Sequence, residues 1–122
     1  AGHPPAFVRR TGARGATPGD GAGDTLAGRC VVLDGRPDLP LGFIASRERH
    51  DHVVELAPGD TLVVYTDGLL ERRTESLRTS IDAAVPIIGA LDSWGAAAIV
   101  DALGPTGDRG DDVVVLTLHI HD

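Results

Sequence analysis

Lysine and methionine are absent from this chain of 122 residues, cysteine occurs once, and aromatic residues make up only 3%. Each scarcity excludes something. Without lysine, all 11 basic residues are arginine, and 18 acids outweigh them to give a net charge of −7. Such a chain projects a negative field, which argues against nonspecific binding to a nucleic-acid backbone. The single Cys30 excludes an intrachain disulfide. Its place in the apolar stretch Cys30-Val31-Val32-Leu33 reads as a buried structural thiol rather than a nucleophile. That cysteine usage fits a cytoplasmic protein. No apolar run approaches the roughly 20 residues that span a bilayer. The opening Ala1-Gly2-His3-Pro4-Pro5 has neither the basic start nor the apolar stretch of a signal peptide. With no methionine, residue 1 is not a translation start, and the chain is expected to be a piece of something longer.

What is present suits one small domain over residues 1–122, since 42% hydrophobic residues can supply a core. Ala6–Arg10 is short and β-prone after the extended Pro4-Pro5 pair. Residues 11–28 hold almost nothing to bury and read as a flexible Gly-rich loop. Arg29–Leu33 reads as the returning strand, followed by a second irregular stretch that ends in Leu39-Pro40-Leu41-Gly42-Phe43. His52–Leu56 is the next expected strand, and Ala57-Pro58-Gly59-Asp60 a turn. Thr61–Thr66 is a nearly continuous apolar run, the mark of a strand covered on both faces.

Helical periodicity then takes over. Leu77, Ile81, Ala84, Val85, Ile88 and Leu91 form one apolar stripe, in which Pro86 predicts a kink or a break. Ser93 is the expected cap of a second helix bearing Ala97, Val100 and Leu103, stopped by Gly104-Pro105. A last strand is expected over Val113–Ile120, with Val114, Leu116, Leu118 and Ile120 on one face. The order of strands, two helices and a closing strand predicts an α+β fold.

Two acids stand at the ends of the most apolar strands. Asp67 ends the run Thr61–Thr66, and Asp111 precedes Val113–Ile120. If those strands run antiparallel in one sheet, both carboxylates leave it at the same edge. A hard divalent cation such as Mg²⁺ or Mn²⁺ takes carboxylates so placed. The same residues also read as an ordinary Asp-Gly turn and a solvated strand start, and spacing alone leaves both readings open. His50-Asp51-His52 offers donors a transition metal accepts but no third ligand nearby, so an exposed strand start is the better reading. His119 and His121 read as exposed, Trp94 as core, and Arg72-Arg73 as exposed charges at a helix start.

The string Leu62-Val63-Val64-Tyr65-Thr66-Asp67-Gly68-Leu69-Leu70-Glu71 closely resembles the "YTDGL-E" signature of the metal-dependent protein phosphatases, the PPM or protein phosphatase 2C-like family. More specifically it resembles the bacterial SpoIIE and RsbU branch. Four further pieces agree in order: Ala1-Gly2-His3-Pro4-Pro5 with "AGHPP", Leu39-Pro40-Leu41-Gly42 with "LPLG", Leu56-Ala57-Pro58-Gly59-Asp60 with "L-PGD", and Gly110–Leu116 with the closing "DD-T-L" strand. The last departs from the pattern, with valine where the family has threonine.

The resemblance implies a β-sandwich flanked by helices, of which this chain would be the C-terminal part with the N-terminal portion missing. It implies hydrolysis of phosphoserine or phosphothreonine by a water bridging two Mn²⁺ or Mg²⁺ ions. Asp67 and Asp111 match the family's metal ligands, Gly68 and Asp112 are their sequence neighbours and candidates to support them, and His3 is a candidate to support the site or face substrate, with a structural hydrogen bond the better reading. The bridging aspartate of the family's "GD-V-G-G" element has no counterpart here, so the missing portion would supply it, and the fragment alone is expected to be inactive. By analogy the partner would be a phosphorylated anti-sigma factor antagonist, in bacterial sigma-factor regulation. The alternative is a degenerate, non-catalytic phosphatase-like domain that binds a regulatory partner.

Overall fold

The computed structural model describes residues 3–11, 29–33, 48–72, 74–93, 95–104 and 112–122. The expected loop over 11–28 lies, from residue 12 onward, outside the described residues, as do Leu39-Pro40-Leu41-Gly42, Arg73, Trp94 and Asp111. Among the described residues the elements run β1 (Phe7–Arg9), β2 (Cys30–Val32), β3 (Thr61–Tyr65), α1 (Leu77–Ala90), α2 (Ala96–Leu103) and β4 (Val115–His119). A short 3-10 helix, Asp67–Leu69, separates β3 from α1. The strands form one four-stranded sheet in the order β2-β1-β3-β4, with every neighbouring pair antiparallel. The class is α+β.

Register decides which residues meet the helices. Phe7 lies level with Val32 and Val63, Arg9 with Cys30 and Thr61, and Tyr65 with Val115. Side chains alternate along each strand, so Phe7, Cys30, Val63 and Tyr65 share one face. Both helices cover it, through Ile81, Ala84 and Ile88 of α1 and Ile99 and Leu103 of α2. The Phe7 and Tyr65 rings stack with centroids 5.2 Å apart. Fully burying a side chain such as Ile88 contributes about 1.5–3 kcal/mol, so this face holds most of the fold's driving force. Arg9 adds a polar tie, its guanidinium donating to the carbonyl of Leu91 at the end of α1. A cation there also suits the negative end of the helix dipole.

Several local expectations change. Pro86 does not break the helix, which runs from Leu77 to Ala90. Proline costs a helix interior about 3 kcal/mol, and the buried Ile81, Ala84 and Ile88 on either side offset it. The Ser76 hydroxyl caps α1 by accepting from the Thr79 amide at 3.2 Å. Ser93 does not cap α2; that position falls to Gly95, and Ser93 instead accepts from the Gly95 amide at 3.3 Å. His52–Leu56 forms no strand. β1 and β4 fill both flanks of β3, leaving that segment no edge of β3 to pair with, and Val53 stands 96% exposed. Finally, the two faces of β3 are covered unequally: Thr61, Val63 and Tyr65 are buried, whereas Leu62 and Val64 are half-buried.

Candidate functional site

The two ends of β3 carry acids with opposite surroundings. At its start, Asp60 is buried, and its Oδ2 accepts from Arg10 at 2.7 Å and from the Ala57 amide at 3.0 Å. Arg10 also donates to the Glu55 carbonyl at 3.1 Å. The chain is pinned further by Gly59 N–H to the Ile120 carbonyl and Ile120 N–H to the Asp60 carbonyl. A buried, charge-paired carboxylate at the centre of such a knot is a structural group. Its Oδ2 is committed to Arg10 and to the Ala57 amide, so drawing it to a ligand would dismantle the turn.

Asp67, at the other end, is exposed. Apolar neighbours on both sides hold it in place: Tyr65 before it, and Leu69 and Leu70 after it, are buried. Its backbone carbonyl accepts from Leu70 and Glu71, winding the chain into the 3-10 turn at once. Its Oδ1 accepts from the Gly68 amide at 3.0 Å, which orients the carboxylate. Gly68, one of the residues matched to the family pattern, is therefore buried and serves Asp67 through its backbone.

The expected antiparallel pairing of the strands beside Asp67 and Asp111 is observed, and the two are immediate neighbours, β3 and β4. Asp111 itself lies outside the described residues, but Asp112 is described and exposed. Thr66 ties this acidic segment to the Asp67 end. Its amide donates to the Val114 carbonyl at 3.0 Å. Its hydroxyl donates to the Asp112 carbonyl at 3.0 Å and accepts from the Val114 amide at 2.9 Å. In the sequence Thr66 is the last residue of an apolar run and a member of the family-like string, with nothing in its spacing that marks a cross-strand contact. A hydroxyl placed directly before the acid was the available signal.

His3 reaches the same end of the sheet by another route. β1 runs antiparallel to β3 with Phe7 opposite Val63, so the residues preceding Phe7 leave the sheet where β3 ends. His3 is exposed, and its Nδ1 lies 2.7 Å from the Pro4 carbonyl oxygen. The remaining histidines lie elsewhere. His119, expected to be exposed, is half-buried at the far end of β4, with its Nδ1 2.9 Å from Thr61 Oγ1 and its ring edge-on to His121. His50 and His52 are exposed.

The Asp67 end thus presents exposed carboxylates, the hard oxygen donors that Mn²⁺ and Mg²⁺ prefer. Among the described residues no group of three or more His, Cys, Asp or Glu side chains converges as a metal cage. The exposed carboxylate of Asp67 is of the donor type that fits such a cation, as one oxygen ligand among the several it needs. Among the described residues no helix is long and apolar enough to cross a membrane.

No curated protein and no solved structure matches the chain. A family model does, that of Stage II sporulation protein E (SpoIIE), and it aligns with residues 1–121. The match takes in both β3 with its terminal aspartate and the segment leading into β4, so the chain belongs to the SpoIIE family and represents the PPM-type phosphatase domain of the SpoIIE and RsbU branch.

Proposed function

We propose that the chain contributes one wall of the active site of a Mn²⁺- or Mg²⁺-dependent phosphatase acting on phosphoserine or phosphothreonine in a protein. The observation that carries this reading is the exposed carboxylate of Asp67, rigidly mounted at the end of β3 with the Asp112-bearing segment tied beside it. The SpoIIE family match over residues 1–121 supports this reading. Asp67 and Asp111 would hold the cations. When bound, these supply Lewis acidity that activates water and neutralises charge on the phosphoryl oxygens.

The chain's own residues do the positioning. The Gly68 amide orients the Asp67 carboxylate, and the buried Leu69 and Leu70 keep the turn from shifting when charge arrives. The outward apolar residues of the sheet support its place as one layer of a β-sandwich, with a further ligand coming from the other layer. A phosphorylated anti-sigma factor antagonist is the substrate class we propose, in the cytoplasm.

The test is Asp67→Asn in the full-length protein, assayed with Mn²⁺ on a phosphoserine protein. We expect turnover to fall at least about 100-fold, in line with other losses of a group that acts in the transition state, with little change in Tm. Near-normal turnover at saturating Mn²⁺ would exclude Asp67 as a ligand. A wild-type protein inactive under the same conditions would favour the non-catalytic binding module.

A further inference from the structure

Thr66 makes three hydrogen bonds across the gap between β3 and the segment entering β4. Two come from its side chain, and they use the hydroxyl both as donor, to the Asp112 carbonyl, and as acceptor, from the Val114 amide. The third is its own amide to the Val114 carbonyl. Regular pairing between β3 and β4 stops at Tyr65 opposite Val115. Beyond that point one backbone bond, Thr66 to Val114, and the two bonds of the side-chain hydroxyl continue the connection.

That position is electrostatically awkward. Asp67 and Asp112 are exposed acids at one end of the sheet. Like charges close together repel and would splay the two segments in the absence of a cation. A hydrogen-bonded tie from Thr66 to neutral backbone groups resists that splaying and makes no contact with the Asp67 carboxylate. Thr66 is extended, with φ −84° and ψ 153°, so the tie costs no backbone strain.

We infer that Thr66 is a positioning residue for the cation site: its hydroxyl sets the Asp112-bearing segment against the Asp67 end before any cation binds. The inference rests on the metallophosphatase reading of that end. It assigns the work to the hydroxyl, and not to the volume of the side chain or to its amide. Valine keeps the shape and the amide bond and loses both side-chain bonds, whereas serine keeps all three.

The experiment measures Mn²⁺ alone binding to the full-length protein, read from the loss of the free Mn²⁺ electron paramagnetic resonance signal, together with Tm in EDTA. Thr66→Val should weaken Mn²⁺ binding by about 10- to 100-fold, the usual consequence of removing a group that orients a ligand, while Tm in EDTA shifts by only a few degrees. Thr66→Ser should bind within about twofold of wild type, since it retains the hydroxyl. Unchanged binding in Thr66→Val, with wild type binding normally, overturns this inference and leaves the phosphatase reading standing. Wild-type protein that binds no Mn²⁺ overturns both. Equal weakening in the valine and serine variants shows that the hydroxyl is not the cause and also overturns the inference. Should Thr66→Val not fold, Thr66→Ala takes its place in the same assay. Failure of both to fold overturns the inference by making Thr66 a residue of the fold rather than of the site.

Discussion

Beneath the helices, burial pushes the Cys30 thiol up from its ordinary 9.0 to about 12, because a thiolate there would lose its water; the nearby Arg9 guanidinium pulls the other way and is outweighed. Tyr65 is pushed upward too, first by burial and then by its neighbour Cys30. Its hydroxyl finds no hydrogen-bond partner among the described residues, and its value to the fold is the ring stacked on Phe7. A raised pKa means that the folded state keeps its proton when the unfolded chain would release it. The stabilisation is therefore complete below pH 9 and is lost as pH rises towards about 12. Denaturant midpoints measured from pH 7 to 11 should fall above pH 9, and Cys30→Ala should flatten part of that fall. The same burial predicts that thiol reagents label Cys30 no faster than the chain opens.

At the scale of elements, the turn before β3 shows how a few residues set the position of a strand. Pro58 and Gly59 occupy the two central positions, Gly59 has φ +90°, and the Asp60 amide returns to the Ala57 carbonyl at 3.0 Å. This is the pattern of a type II turn, where a side chain at the second central position is strained. A Cβ on Gly59 would also run into the Thr11 hydroxyl. Gly59→Ala should therefore destabilise the protein by about 1–2 kcal/mol, read as a lower denaturant midpoint with unchanged slope. The effect should be on stability rather than on cation binding, because the turn lies at the opposite end of β3 from Asp67.

For the molecule as a whole, the consequential feature is the apolar surface that β4 leaves exposed on the sheet face away from the helices, a face on which Val8 is nonetheless buried. Val114, Leu116 and Leu118 are 60%, 64% and 53% exposed, and Val31 joins them from the far strand. Apolar surface gathered on one sheet face invites association. The 122-residue chain on its own should self-associate and bind a hydrophobic dye. A Leu116→Thr and Leu118→Thr double variant should reduce both, with a small effect on Tm because neither side chain is in the helix-covered core. A soluble wild-type monomer with no dye binding would show that this face needs no cover.

Local chemistry was enough to anticipate a strand within each of Ala6–Arg10, Arg29–Leu33, Thr61–Thr66 and Val113–Ile120, the helix that Gly104 stops, and the turn built on Pro58-Gly59. Each depends on short-range rules of alternation, φ preference and capping, which act within a few residues. The candidate acid Asp67 was legible in the same way, as a carboxylate at the end of an apolar run in a string of family-like residues. Other features depended on contacts that no local pattern encodes. His52–Leu56 has strand-like composition, but the flanks of β3 were already taken. Pro86 should interrupt a helix, but burial on either side carries the helix through. Asp60 and Asp67 flank the same strand and differ because Arg10, just past the end of β1, pairs with Asp60. Sequence by itself determined which residues could form strands, turns and helices, and which acid carried the family pattern. Only the tertiary structure decided that Asp60 is a buried brace and Asp67 an exposed carboxylate, and that Thr66 joins β3 to the acidic segment, because those distinctions arise from groups about 50 residues apart in the chain brought within hydrogen-bonding distance.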